Sequence, residues 1–300
     1  MAMTTTNYGL TKPETTDNYD IEVHNANMDM IDAELKKGED HRNNTDNPHK
    51  VTAEQVGAIN PNLLINGDFR VNQRGHESYS TAGYTFDRWM NSFDASSMTS
   101  TVYRTTIGST PGSNVYRVHI RIDSAAHAVE NNFMQRLEDT PSGVSPVQGK
   151  MVTFSVGVRA VSENYNDYRC VYIAYHEAGK SDYTIKATPI FKETNGRVSI
   201  TADIPIGASK VECGVGYTRL ITPDDAGSEI DIWDAKLEIG SVATPFSPRP
   251  YAEELALCQR YYQIRSSSSV STVDLRPTMR TTPTKNSVSG GDAYYDAEIY

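Results

Sequence analysis

The residues best suited to ligand chemistry lie on one face of a predicted β-strand. In VYRVHIRID, residues 115–123, the basic residues Arg117, His119 and Arg121 alternate with apolar residues. Because successive side chains of a strand point to opposite faces, these three side chains share one face. Such a row could line a ligand groove. It could equally form the solvated outer face of an antiparallel sheet, where charged side chains are common.

Tyrosines cluster around a second predicted strand, CVYIAYH, at residues 170–176. Tyr165, Tyr168 and Tyr175 are three of the eighteen tyrosines in the chain, and they lie before and within this strand. The strand is apolar on both faces. This pattern favours a central position in a sheet.

No catalytic motif accompanies these side chains. The sequence has no GxSxG, HExxH, glycine-rich phosphate loop or Cys-His-Asn set, and nothing selects a catalytic pair from its 38 acidic residues. His41 and His49 could ligate a metal, but their spacing fits no standard site, and solvated linker histidines are the alternative. Cys170, Cys213 and Cys258 fit neither a disulfide scaffold nor a zinc knuckle. We therefore expect a protein that is not an enzyme, with reduced, packed cysteines.

Charge and hydropathy exclude two classes of partner. The 300 residues carry a formal net charge of −10, whereas phosphate binding begins with clustered lysine and arginine. We expect no nucleic-acid partner. No apolar run approaches the roughly 18 residues that a membrane span needs, and the amino terminus does not resemble a secretory signal. We expect neither membrane insertion nor export by that route.

Residues 62 to about 250 form a series of short segments with strict alternation of apolar and polar residues. Four of them are VYRVHIRID (115–123), MVTFSVGVRAV (151–161), VSITADIPIG (198–207) and KVECGVGYT (210–218). Turn sequences such as TPGSN, TNGR and PDDAG separate strands of this kind. The pattern predicts a mainly β protein, an antiparallel β-sandwich or jelly roll, with Trp89 and Trp233 in its core.

An amphipathic helix is predicted at residues 18–37, before the strands. Its stripe follows a heptad spacing and consists of Ile21, His24, Met28, Ile31 and Leu35. The stripe could pack on a globular core. Both flanking segments are polar, however, and a helix this short is not stable alone in water, so we expect it to associate with copies of itself. The polar His24 would favour one register, and we predict a parallel, trimeric coiled coil.

These patterns divide the chain into four regions. They are an attachment segment with the coiled-coil helix (1–40), a linker or collar (41–61), the sandwich (62–250) and a carboxy-terminal helix with further strands (251–300). Twin tyrosines at 261–262 and 294–295 indicate that the last region packs on its own sandwich or on a neighbouring subunit.

Several strings together resemble a known family. They are NLLINGDFRVNQRG (62–75), YTFDRW (84–89), QRLED (135–139), GKMVTFSVGVRA (149–160) and AKLEIGSVATPFSPRPYAEELALCQRYYQ (235–263). In this order they resemble the carbohydrate-binding-module-like jelly roll of bacteriophage and prophage tail fibres and tail-tip proteins. GLTKPETTDNYDIEVHNANMDMID (9–32) and NPHKVTAEQVGA (47–58) resemble the attachment and collar segments of such proteins.

The resemblance implies a homotrimer in a virion tail or tailocin particle, made in the host cytoplasm, with other tail or baseplate proteins and bacterial surface polysaccharide as partners. It implies adhesion to host glycans without catalysis; a structural spacer or docking protein is the alternative, and a glycan-degrading spike is less favoured. Sugar rings would stack on aromatic faces beside polar side chains. The candidate binding residues are then Arg117, His119, Arg121, Tyr165, Tyr168 and Tyr175.

The resemblance also implies that a structural calcium ion could bind near the first and last strands of the sandwich. Calcium takes carboxylate and carbonyl oxygens as ligands. The candidate ligands are Asn66, Asp68, Asp231 and Asp234. Surface carboxylates without a metal explain the same residues equally well, and no other cofactor is expected.

Overall fold

The structure is a computed structural model that describes residues 3–12, 16, 18, 20–44, 60–107, 115–127, 129–162, 168–266, 279–287 and 292–299. The chain divides into two compact units, Met1–Ala58 and Ile59–Tyr300. Tyr165, His49 and most of the predicted linker lie outside the described residues.

The amino-terminal unit contains a small hairpin and one long helix. Strands β1 (Met3–Thr4) and β2 (Thr11–Lys12) pair antiparallel, and helix α1 spans Ile21–Asn43. Asp20 caps the helix, because its side chain accepts a hydrogen bond from the Glu22 amide (2.9 Å). The helix is longer than the predicted span, 18–37.

The predicted apolar stripe of α1 is exposed along the described part of the single chain. The exposed fractions are 54% for Ile21, 52% for Met28, 39% for Ile31 and 67% for Leu35, and His24 is exposed as well. The predicted helix is therefore confirmed, and its association with sister chains stays a prediction. Neither α1 nor the second helix described below has the length and apolar character that crossing a bilayer requires.

The second unit is an antiparallel sandwich of two six-stranded sheets, with strands numbered along the chain. In spatial order the first sheet contains β11 (Tyr183–Pro189), β10 (Arg169–His176), β13 (Ser209–Tyr217), β8 (Asn131–Arg136), β5 (Met90–Phe93) and β4 (Gly83–Tyr84). The second contains β12 (Asn195–Ile204), β9 (Lys150–Ala160), β14 (Glu229–Ile239), β7 (Val115–Ala125), β6 (Met98–Ile107) and β3 (Ser78–Tyr79). The predicted fold class is confirmed.

Alternating strand residues from both sheets form the core. Val118 and Ile120 of β7 and Phe154 of β9 pack in one buried cluster with Ile173 of β10 and Val215 of β13. Burial of such side chains is the main force that holds two sheets together. The core therefore follows the period-two pattern of the sequence.

Trp89 lies at the centre of this core, as predicted. Its side chain is fully buried and stacks on Phe133 with ring centres 5.3 Å apart. Its indole N–H donates to the carbonyl oxygen of Asn66 (2.9 Å). Asn66 has a φ of 58°, which asparagine tolerates better than most residues. The NGDF turn thus positions an acceptor for the buried indole.

The carboxy-terminal region packs on its own sandwich. Helix α2 spans Tyr251–Gln259, and a three-stranded sheet follows in the order β15 (Tyr262–Ser266), β17 (Asp292–Asp296) and β16 (Thr284–Ser287). Tyr261 donates its hydroxyl to Glu138 (2.7 Å), and Arg88 pairs with Glu298 (2.7 Å). Within the single chain, the region therefore contacts its own sandwich, which is the first of the two alternatives that the twin tyrosines left open.

Candidate functional site

The predicted basic row projects from the outer face of the second sheet, where carboxylates of the same sheet neutralise it. Arg121 lies 2.7 Å from Asp123, Arg117 lies 3.6 Å from Asp231, and His119 contacts the same Asp231 carboxylate. Strand pairing places His119 directly opposite Asp231. The row is thus a charged outer strand face whose groups already have partners.

The two predicted tyrosines that the structure describes, Tyr168 and Tyr175, do not join this row. Tyr175 packs in the core with 4% of its surface exposed, so its assignment to a sugar-binding groove is wrong. Tyr168 is 46% exposed, and the Arg219 guanidinium lies 4.0 Å from its ring centre. Both belong to or precede β10 of the first sheet, whereas the basic row lies on β7 of the second. The described tyrosines and the basic row are therefore positioned by different sheets.

Trp233 lies on the outer face of the second sheet, which corrects its predicted place in the core. The pairing of β14 with β9 is interrupted between Trp233 and Lys236, and Asp234 has a φ of 53°. Such a bulge shifts the alternation by one residue, so Ala235 is buried while Trp233 points outward. The indole lies over Gly157, where a Cβ atom would be 2.2 Å from the ring.

The predicted calcium ligands do not form one site. The Asn66 amide is hydrogen-bonded to main-chain atoms around its own turn, and Asp68 pairs with Arg70 at 2.5 Å. Asp231 belongs to the ion pairs of the outer face. Burial and the Asp68 charge raise the pKa of Asp234. The four side chains therefore do not fit a shared calcium ion.

The structure instead assembles a cleft lined by tyrosines between the sandwich and the carboxy-terminal sheet. Its volume is about 510 Å³, within the range of about 300–1,000 Å³ that is typical of ligand pockets. We call it the tyrosine cleft. Its aromatic lining consists of His76, Tyr79, Tyr84, Tyr262 and Tyr294, and Arg74, Ala82, Gly83, Ile264 and Asp296 complete it.

Strand register explains how one wall of the tyrosine cleft forms. In the β15–β17 pair, Tyr262 lies opposite Asp296 and Ile264 lies opposite Tyr294. Residues opposite one another, and residues two apart on one strand, share a face. The four side chains consequently form one patch that faces Tyr79 and Tyr84 of the sandwich. The Tyr262 and Tyr294 rings stack with centres 5.9 Å apart.

Arg74 forms the polar floor of the cleft. Its guanidinium lies 3.9 Å from the Tyr262 ring centre and 5.6 Å from that of Tyr84. It pairs with Asp87 (3.1 Å) and Glu298 (3.4 Å), and its side chain is only 11% exposed. Burial raises the pKa of Asp87 to about 6 although Arg74 opposes the shift.

The charges around the floor do not favour an anion. The carboxylates of Asp87, Asp296 and Glu298 face the guanidiniums of Arg74 and Arg88, which leaves one negative charge in excess when all are ionised. The arginines are already paired. A neutral ligand therefore suits this floor better than an acidic one.

Three of the tyrosines that face the cleft are neutral, and hydrogen bonds fix two of them. The Tyr79 hydroxyl donates to Asn72 (2.7 Å), and the Tyr84 hydroxyl donates to the carbonyl oxygen of Ile299. Burial raises the pKa of Tyr79, Tyr84 and Tyr262 to about 12, so their phenols stay protonated at neutral pH. Rigid rings with neutral hydroxyls offer both an apolar face and hydrogen-bonding groups to a ligand.

A second depression of the same unit lacks these features. Its volume is about 460 Å³, and the described residues of its lining include Arg136, Glu138, Lys210 and Arg280 but no aromatic residue. It cannot offer a stacking surface. Among the two, the tyrosine cleft is the better candidate for a ligand with apolar faces.

Comparisons with known proteins give only weak similarities. No protein-family model matches the sequence, and no curated protein matches it either. The enzymatically active domain of a tailspike protein from bacteriophage CBA120 is 13% identical over 60% of this chain, with a TM-score of 0.39, and the chain spans 21% of that protein.

Two carbohydrate-binding modules are similar at the same level. The carboxy-terminal family 22 module from Clostridium thermocellum is 15% identical over 56% of this chain and 95% of its own, with a TM-score of 0.35. A family 61 module in complex with β-1,4-galactotriose is 12% identical over 60% of this chain and 99% of its own, with a TM-score of 0.33. At these values the comparisons do not establish a function.

One sequence feature, the twin tyrosines at 261–262 and 294–295, points to the tyrosine cleft. The twin tyrosines indicate a packed carboxy-terminal region, and two of them, Tyr262 and Tyr294, prove to be cleft residues. Nothing in the sequence places Arg74 or Tyr84 beside them. Their proximity depends on the docking of β15 and β17 against the sandwich, which is a long-range contact.

Proposed function

We propose that this protein is a non-catalytic glycan-binding component of a phage tail or tail-like particle, and that the tyrosine cleft binds a neutral segment of a bacterial surface polysaccharide. The observation that carries the proposal is the cleft itself, a 510 Å³ space with several fixed phenol rings around a paired arginine.

The chemistry of the lining supports a sugar ligand. One face of a pyranose ring presents C–H groups, which pack on the negative face of an aromatic ring, while the hydroxyls at its edge need hydrogen-bonding partners. Tyr84, Tyr262 and Tyr294 supply rings, and Asp296 supplies acceptors. The excess of carboxylates over guanidiniums favours a neutral sugar over a uronic acid.

The same lining supports binding without hydrolysis. Glycosidases generally use two carboxyl groups about 5–9.5 Å apart on either side of the scissile bond. Among the described residues that line the cleft, Asp296 is the one carboxylate. Asp87 and Glu298 lie behind it in ion pairs with Arg74, and their side chains are at most 1% exposed.

The exposed stripe of α1 supports a homotrimer. Met28 and Ile31 are 52% and 39% exposed in the single chain, and apolar side chains at a heptad spacing are stabilised when sister helices cover them. Three chains would present three clefts. Linking weak sites raises the effective concentration for the second and third contacts, so a trimer can hold a repetitive polysaccharide firmly.

Binding of neutral oligosaccharides to the purified full chain tests the proposal. We expect Tyr294→Ala to weaken binding about tenfold, the equivalent of about 1.4 kcal/mol, and Tyr294→Phe to retain most of it. Tyr251→Ala is the matched control, because Tyr251 is 53% exposed and does not line the cleft. Circular dichroism of each variant checks the fold.

Two other outcomes identify the alternatives. If folded wild-type protein binds no glycan of a broad array, the proposal fails and a structural spacer or docking role is favoured. If polysaccharide incubated with the protein becomes shorter, the protein is a glycan-degrading spike.

A further inference from the structure

A histidine and two carboxylates converge on the outer face of the second sheet, away from the tyrosine cleft. Strand pairing places His119 of β7 opposite Asp231 of β14, and Glu229 lies two residues earlier on the same face of β14. One potential donor atom from each of the three lies within 4.8 Å of the other two. His119 Nδ1 is 3.2 Å from Glu229 Oε1 and also contacts Asp231 Oδ1.

The central atoms of this cluster lack hydrogen bonds. Asp231 is fully buried, and its Oδ1 makes no hydrogen bond with the described residues; the same holds for His119 Nδ1. Both carboxylates form ion-pair contacts with Nδ1, but neither contact has hydrogen-bond geometry. Buried polar atoms are usually hydrogen-bonded, so Nδ1 and Oδ1 keep the capacity to bind a further group.

One oxygen of the Asp231 carboxylate faces the histidine. Arg159 contacts the other oxygen, Oδ2, at 2.5 Å, which leaves Oδ1 directed at the histidine. An ionised carboxylate oxygen is a good ligand for a divalent cation.

The surrounding residues hold the three donors in place. Thr105 Oγ1 lies 2.9 Å from His119 Nε2, and the Tyr103 ring stacks on the imidazole with centres 4.5 Å apart. The Tyr103 hydroxyl donates to Glu229 Oε1 at 2.5 Å. Histidines that bind metals usually use their second nitrogen in a hydrogen bond of this kind, and ligating carboxylates are themselves hydrogen-bonded.

We propose that His119 Nδ1, Asp231 Oδ1 and Glu229 Oε1 bind one divalent transition-metal ion. One imidazole nitrogen and two carboxylate oxygens form a donor set that suits zinc and its neighbours. His119 would donate Nε2–H to Thr105 and ligate through Nδ1. His119 and Glu229 are 13% and 16% exposed, so water can fill the remaining positions from the outer face.

Two nearby arginines determine how strongly the site is expected to bind a metal ion. Arg159 and Arg117 both approach Asp231 Oδ2, and their positive charges repel a metal ion. The site should therefore bind zinc more weakly than a structural zinc site does. Replacement of Arg159 by Gln should tighten zinc binding, because it removes one opposing charge and none of the ligands.

Isothermal titration of the full chain with zinc tests the site. We expect one zinc ion per chain with an affinity that His119→Gln and Glu229→Gln each reduce at least tenfold and that Arg159→Gln increases. His127→Gln, an exposed histidine outside the cluster, should leave it unchanged. Circular dichroism confirms that each variant is folded.

Two results would overturn the assignment. If folded wild-type protein binds no zinc, the assignment fails, and the contacts of His119 with the two carboxylates are ion pairs only. Zinc binding unaffected by His119→Gln and Glu229→Gln would place the metal elsewhere. Neither result bears on glycan binding, because the tyrosine cleft shares no residue with this cluster.

Discussion

The guanidinium of Arg74 lies 3.9 Å from the centre of the Tyr262 ring. This contact joins the first turns of the sandwich to the first strand of the carboxy-terminal sheet. Arg74 also pairs with Asp87 of the sandwich and Glu298 near the end of the chain. The Arg74 side chain therefore contacts residues of both walls of the tyrosine cleft and fixes their relative positions.

Replacement of Arg74 by Met should destabilise the protein strongly. The substitution leaves the buried carboxylates of Asp87 and Glu298 short of a partner, a change that costs about 3–5 kcal/mol. Urea unfolding measures the free energy. Arg121→Met is the control, because Arg121 is 44% exposed and its pair with Asp123 should contribute less than about 1 kcal/mol. Equal losses in the two variants would contradict the assigned role of Arg74.

Asp87 should make the stability depend on pH in an unusual direction. Its pKa in the folded protein is about 6, above its ordinary value of 3.8, so the folded state binds the proton more tightly than the unfolded chain does. The stabilisation is fully present below pH of about 4 and is lost as the pH rises through 6.

The variant Asp87→Asn isolates this contribution. The difference in unfolding free energy between wild type and variant should fall by roughly 2–3 kcal/mol between pH 4 and pH 7, because each pKa unit corresponds to about 1.4 kcal/mol. Urea unfolding at a series of pH values measures the difference. A difference that stays constant or rises with pH would refute the assignment.

Gly157 should not tolerate a side chain. The Cβ atom of an alanine would lie 2.2 Å from the indole of Trp233, so the ring must move, and such overpacking costs about 1–3 kcal/mol. Thermal unfolding and tryptophan fluorescence detect the loss and the displacement. In a Trp233→Ala background the same change should cost much less, because the clash is gone. If the losses in stability caused by Gly157→Ala and Trp233→Ala simply add in the double variant, the contact between the two residues is disproved.

The heptad stripe of α1 should control the oligomeric state. Ile31→Asp places a charge in the apolar seam, and we expect the mass in solution to fall from that of a trimer to the 33.2 kDa of one chain. Ala33→Asp introduces the same charge outside the stripe and should leave the trimer intact. Light scattering gives both masses. A wild-type chain of 33.2 kDa would already exclude the trimer.

The alternation of apolar residues predicts most of the sandwich, since burial on one face imposes a period of two. Val118 and Ile120 are buried as that rule requires, and Trp89 joins them. The rule fails at Trp233 because a bulge in β14 reverses the alternation of inward and outward side chains. The bulge depends on a positive φ at Asp234, which the amino-acid sequence around Asp234 does not predict. A helix predicted from its heptad spacing was found at the expected place.

Binding residues were harder to predict than the fold. CVYIAYH is apolar on both faces, so its pattern does not say which tyrosine points outward, and Tyr175 proved to be buried. The tyrosine cleft combines residues near positions 74–84 with residues near 262 and 294. Such a site arises from the docking of distant segments, which no local pattern encodes.

Glu254 of α2 accepts a hydrogen bond from the main-chain amide of Asn66 (2.5 Å) and pairs with Arg249 (3.2 Å). The turn that holds the indole of Trp89 is thus completed by a helix that follows the last strand of the sandwich. A fragment cut at residue 250 would lose this support and one wall of the tyrosine cleft. In expression, grafting or domain exchange, α2 and the carboxy-terminal sheet should therefore be kept with the sandwich.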